Sequence, residues 1–203
     1  VIGEPQILGQ VKNAYLRAHK AGAIGPSLTR AFNQAFLTAK RVRRETAIGK
    51  NAVTISFAAV ELAQKVFGKL ARTNCVLIGA GKTSELAAMH IKQKGARIIV
   101  ANRSIEHAAL LAKRFQGSAH HLGNLSALLE MADVVLASTS SSETIINSGF
   151  MQKVMRARRY RPIFMIDISV PRNIDPEVNS IDGVYLYNID DLADIVSRNF
   201  QDR

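Results

Sequence analysis

Six consecutive residues, Gly79-Ala80-Gly81-Lys82-Thr83-Ser84, carry the first chemical signal in the chain. Two glycines one residue apart let a turn close tightly and let backbone N–H groups approach a phosphate with no Cβ in the way. Lys82 adds a charge and Thr83 a hydroxyl beside such a phosphate. Ser84 stands where a third glycine is usual, and a small side chain there still permits close packing of helix on strand. The spacing is not that of a nucleoside-triphosphate loop, because no glycine precedes Gly81-Lys82-Thr83 at the required interval. A dinucleotide pyrophosphate is the expected ligand. A second cluster, Asn102-Arg103-Ser104, occupies the place where an NAD site carries Asp or Glu for the ribose 2′-hydroxyl. A guanidinium with a neighbouring amide and hydroxyl suits a 2′-phosphate, so these residues point to NADPH over NADH.

Nothing else forms a catalytic constellation. Cys75, the single cysteine, lies inside an apolar run and reads as a core thiol. His19, His90 and His107 fall within helical patterns without a Cys or acidic partner at ligand spacing. The adjacent His120 and His121 point to opposite faces if they lie on a strand, so no metal site is expected. Asp167 ends an apolar run and is as well suited to anchoring the Val170-Pro171-Arg172 loop as to reaching a ligand.

These residues need elements to position them. Cys75–Ile78, Ile98–Ala101, Val134–Ala137, Ile163–Ile168 and Val184–Tyr187 are short apolar runs of buried-strand length, with a shorter candidate at Ala119–Leu122. Between them, helical periodicity covers Lys82 to about Lys94, Ile105–Phe115 with Ser104 as its cap, Leu125–Met131 and Phe150–Tyr160. Alternation of this kind predicts an α/β, doubly wound, mostly parallel Rossmann-type sheet. The loops GAGKTS, NRS, STSSSE and SVPRN then line one crevice at the carboxyl ends of the strands. Upstream, Ile7–Lys20 and a segment capped by Ser27 read as two amphipathic helices. Gly49–Asn51 reads as a domain boundary, followed by a helix over Val53–Leu70. A closing helix is expected over Ile189–Phe200.

With 203 residues, 47% hydrophobic, the chain is long enough for a full core and extra structure. No apolar run approaches a membrane span and no secretory leader opens the chain, so a soluble cytoplasmic protein with no membrane partner is expected. One cysteine excludes an internal disulfide framework. The net charge of +11 is uneven: residues 1–50 hold nine Lys/Arg against two Asp/Glu, whereas residues 151–203 hold eight of each. Lys40, Arg41, Arg43 and Arg44 cluster at the end of the second helix, which suits a polyanion such as RNA, although cations there also complement the helix dipole.

Several separated motifs resemble the glutamyl-tRNA reductases: GEPQILGQVKN (3–13), GAIGPSL (22–28), AKRVRRET (39–46), SFAAVELA (56–63), GAGKTSELA (79–87), ANRS (101–104), IDISVPRNIDP (166–176) and YNIDDL (187–192). They span nearly the whole chain. The resemblance implies that residues 1–50 are the C-terminal helical part of a catalytic domain. Residues 51–188 would be an NADPH-binding domain, and 189–203 the start of a long helix leading to a homodimerisation domain. It implies reduction of glutamyl-tRNA by NADPH to glutamate-1-semialdehyde, through attack by a thiol on the glutamyl ester, with handover of the product to an aminomutase. Glu4, Pro5, Gln6 and Gln10 match the family's substrate-binding motif, and Gly79–Ser84 its NADPH loop. Cys75 does not match the family's nucleophile, so no catalytic residue is expected in this chain and Val1 reads as an interior position. Two alternatives remain. A shikimate-dehydrogenase-like enzyme would share the sheet and the NRS loop, but requires a Lys and Asp pair in a preceding domain, and residues 1–50 contain no Asp. A nucleotide-gated RNA-binding module would use Lys40–Arg44 without chemistry.

Overall fold

The computed structural model describes residues 5–46 and 55–192, in two compact units, Val1–Thr54 and Ile55–Arg203. In the first unit α1 (Pro5–Lys20) and α2 (Pro26–Glu45) form a helical hairpin. An aromatic cluster joins them, with the Tyr15 ring 5.3 Å from Phe32 and 5.7 Å from Phe36. The second helix begins earlier than its sequence suggests. Gly25, not Ser27, is the N-cap, because Pro26 takes the first helical position, where its missing N–H costs nothing.

The second unit opens with α3 (Ile55–Phe67) and continues through β1 (Asn74–Ile78), α4 (Lys82–Gln93), β2 (Arg97–Asn102), α5 (Ile105–Phe115) and β3 (Ser118–His121). It then runs through α6 (Leu125–Met131), β4 (Val134–Ala137), α7 (Ser148–Ala157), β5 (Ile163–Asp167) and β6 (Val184–Asn188), after which residues 189–192 start a helix. The domain boundary at Gly49–Asn51, the start of the third helix at Val53 and the closing helix beyond residue 192 fall outside the described residues.

The six strands lie in the order β3-β2-β1-β4-β5-β6 and every pairing is parallel. A parallel sheet needs helices on both faces, and its central strands are therefore apolar on both. Cys75–Ile78, Val134–Ala137 and Ile163–Asp167 are buried at every position. On one face Val76, Val135 and Met165 pack with Leu128 and Leu129 of α6 and Met151 and Met155 of α7. The turn from α7 to β5 is held by the buried Arg158, whose guanidinium donates to the carbonyls of Leu129, Glu130 and Pro162. α7 starts two residues before its apolar pattern, at a cap formed by Asn147, whose Oδ1 accepts from the Phe150 N–H at 2.8 Å. Strand order reverses between β1 and β4, and that switch point is where an open α/β sheet holds its ligand. No described helix is long and apolar enough to cross a membrane.

Candidate functional site

Gly79 sits at the switch point. Its φ is +103°, and a Cβ built on it would collide with the Ser138 carbonyl at the start of the β4 loop. Its N–H donates to the Ala101 carbonyl of β2 at 2.9 Å, and the Ser138 N–H donates to the Ile78 carbonyl at 2.9 Å. One glycine thus allows β1, β2 and β4 to converge. Gly81 plays a different part. It is the N-cap of α4 with φ −83°, has no side chain to cap the helix, and a Cβ there would meet nothing within 4 Å. Among the described residues nothing accepts from the Lys82, Thr83 and Ser84 N–H groups at this positively polarised helix end; Lys82 and Thr83 are open to a ligand, whereas Ser84 is fully buried. Such a cradle fits a pyrophosphate.

The side chains of the loop are less uniform. Lys82 Nζ pairs with Glu85 at 3.1 Å, and Arg114 pairs with the same carboxylate at 2.7 Å. The hydrogen bond from Lys82 is the main reason that Glu85 titrates below the ordinary carboxylate range. Lys82 remains largely exposed and free to exchange that partner for a phosphate. The Thr83 carbonyl accepts from the Ser56 hydroxyl of α3 at 3.1 Å. Ser84 is fully buried, and its Oγ has no hydrogen-bond partner. The small side chain at the third-glycine place serves helix packing and not capping.

At the end of β2, Asn102 Nδ2 donates to the Ser104 carbonyl at 3.2 Å and closes the turn. Ser104 is committed to α5, since its Oγ accepts from the His107 N–H at 3.2 Å and donates to Glu106 at 2.7 Å. Arg103 reaches across the crevice, and its guanidinium donates to Ser141 Oγ in the β4 loop at 2.6 Å. The strand end itself carries no carboxylate; the nearest in sequence, Glu106, is held by Ser104.

A buried polar network supports the far side. Asp167, at the end of β5, accepts from the N–H groups of Ser169 (3.0 Å), Asn173 (2.7 Å) and Ile174 (2.8 Å). It therefore anchors its own loop, as its lone position in the sequence allowed. Asn173 is fully buried; its amide donates to the carbonyls of Ser141 and Glu143, and its Oδ1 accepts from the Thr139 hydroxyl. Thr139, Ser141 and Asn173 are not singled out as site residues by sequence, whereas Asp167 is. The only signal was that their loops follow strands β4 and β5.

The remaining candidates lie elsewhere. Cys75 is buried in β1, and burial pushes its thiol up to about 12, as a core residue requires. His120 contacts Ser118, and His121 accepts from the Gly123 N–H. No group of three metal-ligating side chains occurs among the described residues. Gln10 is exposed on α1, in the helical unit. Pro5 and Gln6 belong to the backbone of the first turn of that helix, and Glu4 lies outside the described residues.

Comparison with known proteins gives the family of the chain. Residues 61–195 match the family model described as shikimate / quinate 5-dehydrogenase, and residues 1–46 match that of the glutamyl-tRNAGlu reductase N-terminal domain. A glutamyl-tRNA reductase of Idiomarina loihiensis is 48% identical across 100% of this chain, which covers 48% of that protein. The solved glutamyl-tRNA reductase of Methanopyrus kandleri aligns with a TM-score of 0.69 at 36% identity, over 98% of this chain and 51% of that one. The nucleotide-binding domain of the Thermoplasma volcanium glutamyl-tRNA reductase shares the fold, with a TM-score of 0.56 at 19% identity over 74% of this chain and 96% of that one. Spanning about half the length of its curated relatives, the chain belongs to the glutamyl-tRNA reductase family, and its sheet unit to the shikimate and quinate dehydrogenase type of nucleotide-binding domain.

Proposed function

We propose that this chain is the NADPH-binding part of an enzyme that reduces glutamyl-tRNA to glutamate-1-semialdehyde, the first step of tetrapyrrole synthesis from glutamate. The observation that carries the cofactor assignment is the pairing of two features at one switch point. These are an uncapped α4 N-terminus beneath Gly81, and Arg103 at a strand end that bears no carboxylate. The reaction is taken from the relatives. When bound, NADPH supplies a hydride to the acyl carbon of the substrate. The residues of the chain do the holding: Gly79, Ala80 and Gly81 leave room for the pyrophosphate, the Lys82 and Thr83 N–H groups donate to it, Lys82 adds charge, and the buried Ser84 lets the helix pack behind the loop. Asn102 and Ser104 shape the turn that presents Arg103 to the 2′-phosphate.

Cys75 is no candidate for the attacking thiol, because a thiolate at that buried position is strongly disfavoured. The nucleophile then belongs to another part of the full-length enzyme, as do its homodimer contacts and any handover to an aminomutase. Glu4, Pro5, Gln6 and Gln10 match the family's substrate-binding motif and would bind substrate in this reading, and the basic end of α2, Lys40–Arg44, suits a tRNA backbone. The match of residues 61–195 favours a second reading, a dehydrogenase of shikimate or quinate. The match of residues 1–46 argues against it. The test is an activity assay on this chain with glutamyl-tRNA and NADPH, and with shikimate and NADP. Binding of NADPH without turnover of either substrate is expected. Semialdehyde release by the chain alone would show that its own residues supply the nucleophile, and shikimate oxidation would install the second reading.

A further inference from the structure

Arg103 is an exposed, long side chain, and a long cation binds a phosphate well only when its rotamers are already restricted. The restriction comes from one hydroxyl. Ser141 Oγ accepts from the Arg103 guanidinium at 2.6 Å and from the Glu143 N–H at 3.3 Å. With both lone pairs used, the hydroxyl proton of Ser141 has no acceptor among the described residues, which leaves its donor capacity for a ligand.

Ser141 is itself held. Only 5% of it is exposed. Its N–H donates to Thr139 Oγ1 at 3.0 Å, its carbonyl accepts from Asn173 Nδ2 at 2.9 Å, and the Asn173 N–H is fixed by the buried Asp167. A bracket thus runs from the end of β5, through the β4 loop, to the arginine at the end of β2. Each member is hydrogen-bonded, and such a network has one low-energy arrangement.

We propose that Ser141 is a specificity-determining residue of this site: it positions Arg103 for the 2′-phosphate of the cofactor and donates its own O–H to the same phosphate. The inference rests on the assignment of NADPH above and adds the residue that makes the choice. The neighbouring Thr139 hydroxyl does not share the role, since it donates to Asn173 Oδ1 and accepts from the Ser141 N–H.

The experiment is calorimetric titration of NADPH and of NADH into the chain and into Ser141→Ala, Ser141→Thr, Arg103→Ala and the Ser141→Ala/Arg103→Ala double variant. Ser141→Ala should weaken NADPH about tenfold, as expected for a lost hydrogen bond to a charged group, and change NADH by less than about twofold. Ser141→Thr, which keeps the hydroxyl, should retain the NADPH preference. In the Arg103→Ala background the same Ser141→Ala change should cost clearly less than tenfold. Equal weakening of both cofactors by Ser141→Ala, additive losses in the double variant, or a preference lost alike in Ser141→Thr and Ser141→Ala would overturn the role of Ser141 while leaving that of Arg103 intact. An Arg103→Ala variant with an undiminished NADPH preference would instead overturn the cofactor assignment and this inference with it.

Discussion

The two glycines of the turn predict opposite outcomes for the same substitution. Gly81→Ala adds a methyl group into open space, at an ordinary negative φ. Alanine is a poorer N-cap than glycine, which costs about 0.5–1 kcal/mol, and the stiffer unfolded chain returns about 0.4–1 kcal/mol. The fold should therefore hold to within about 1 kcal/mol, a shift in Tm of no more than roughly 4 °C for a chain of this size. The methyl group nevertheless occupies the space through which a pyrophosphate reaches the Lys82 and Thr83 amides, and NADPH affinity should fall at least tenfold. Gly79→Ala behaves differently. At φ +103° an L-residue costs about 1–2 kcal/mol, and the clash with the Ser138 carbonyl adds about 1–3 kcal/mol by forcing β1 and β4 apart. A loss of about 2–5 kcal/mol is a large part of an ordinary domain's stability. Thermal melts and NADPH titrations on both variants separate the two roles. A Gly81→Ala protein that melts normally and binds NADPH as well as the parent would refute the account of the loop.

Other substitutions follow from the same geometry. Ser84→Ala removes a buried hydroxyl that has no partner, so thermal melting should show unchanged or higher stability, by up to about 1–2 kcal/mol. Arg158→Met strips a shared donor from the Leu129, Glu130 and Pro162 carbonyls, and chemical denaturation should report a loss of about 3 kcal/mol. Asp167→Asn presents an amide where three N–H groups converge; it should destabilise the β5 loop and lower NADPH affinity by displacing Asn173, measured by melting and by titration. For Cys75 the folded thiol titrates near 12, against 9.0 when unperturbed, so the native state holds its proton more tightly than the unfolded chain. That contribution is complete below pH 9 and is lost as pH rises from about 9 toward 12. Urea melts should therefore show stability falling over this window, with a shallower fall in Cys75→Val.

Much of the architecture is legible in the chain itself, because a parallel sheet covered on both faces demands uninterrupted apolar runs. Val134–Ala137 is read to the residue, and Cys75–Ile78 and Ile163–Asp167 to within one. Helix starts are less legible. Ser27 has the chemistry of a cap, yet Pro26 ahead of it sets the first helical φ and moves the cap to Gly25. Asn147 caps α7 ahead of its apolar periodicity. The glycine turn is visible because glycine spacing is a backbone requirement. The bracket behind Arg103 is not, since Ser138, Thr139, Ser140, Ser141 and Ser142 offer the same hydroxyl five times running. Only the three-dimensional course of the β4 loop decides that Ser141 meets the guanidinium and Thr139 meets Asn173. Ser104 is read from sequence both as a ligand hydroxyl and as the cap of α5, and the structure bears out the cap.

The central claim is that this sheet unit selects a 2′-phosphorylated dinucleotide through the crevice between the β1, β2 and β4 loops. Its most direct test is the ratio of NADPH to NADH affinity of the unaltered chain, measured by calorimetry at one salt concentration. Charge-assisted hydrogen bonds to a phosphate predict a preference for NADPH of at least about tenfold. Equal affinities, or a preference for NADH, would contradict the assignment of Arg103 and the cofactor reading built on it.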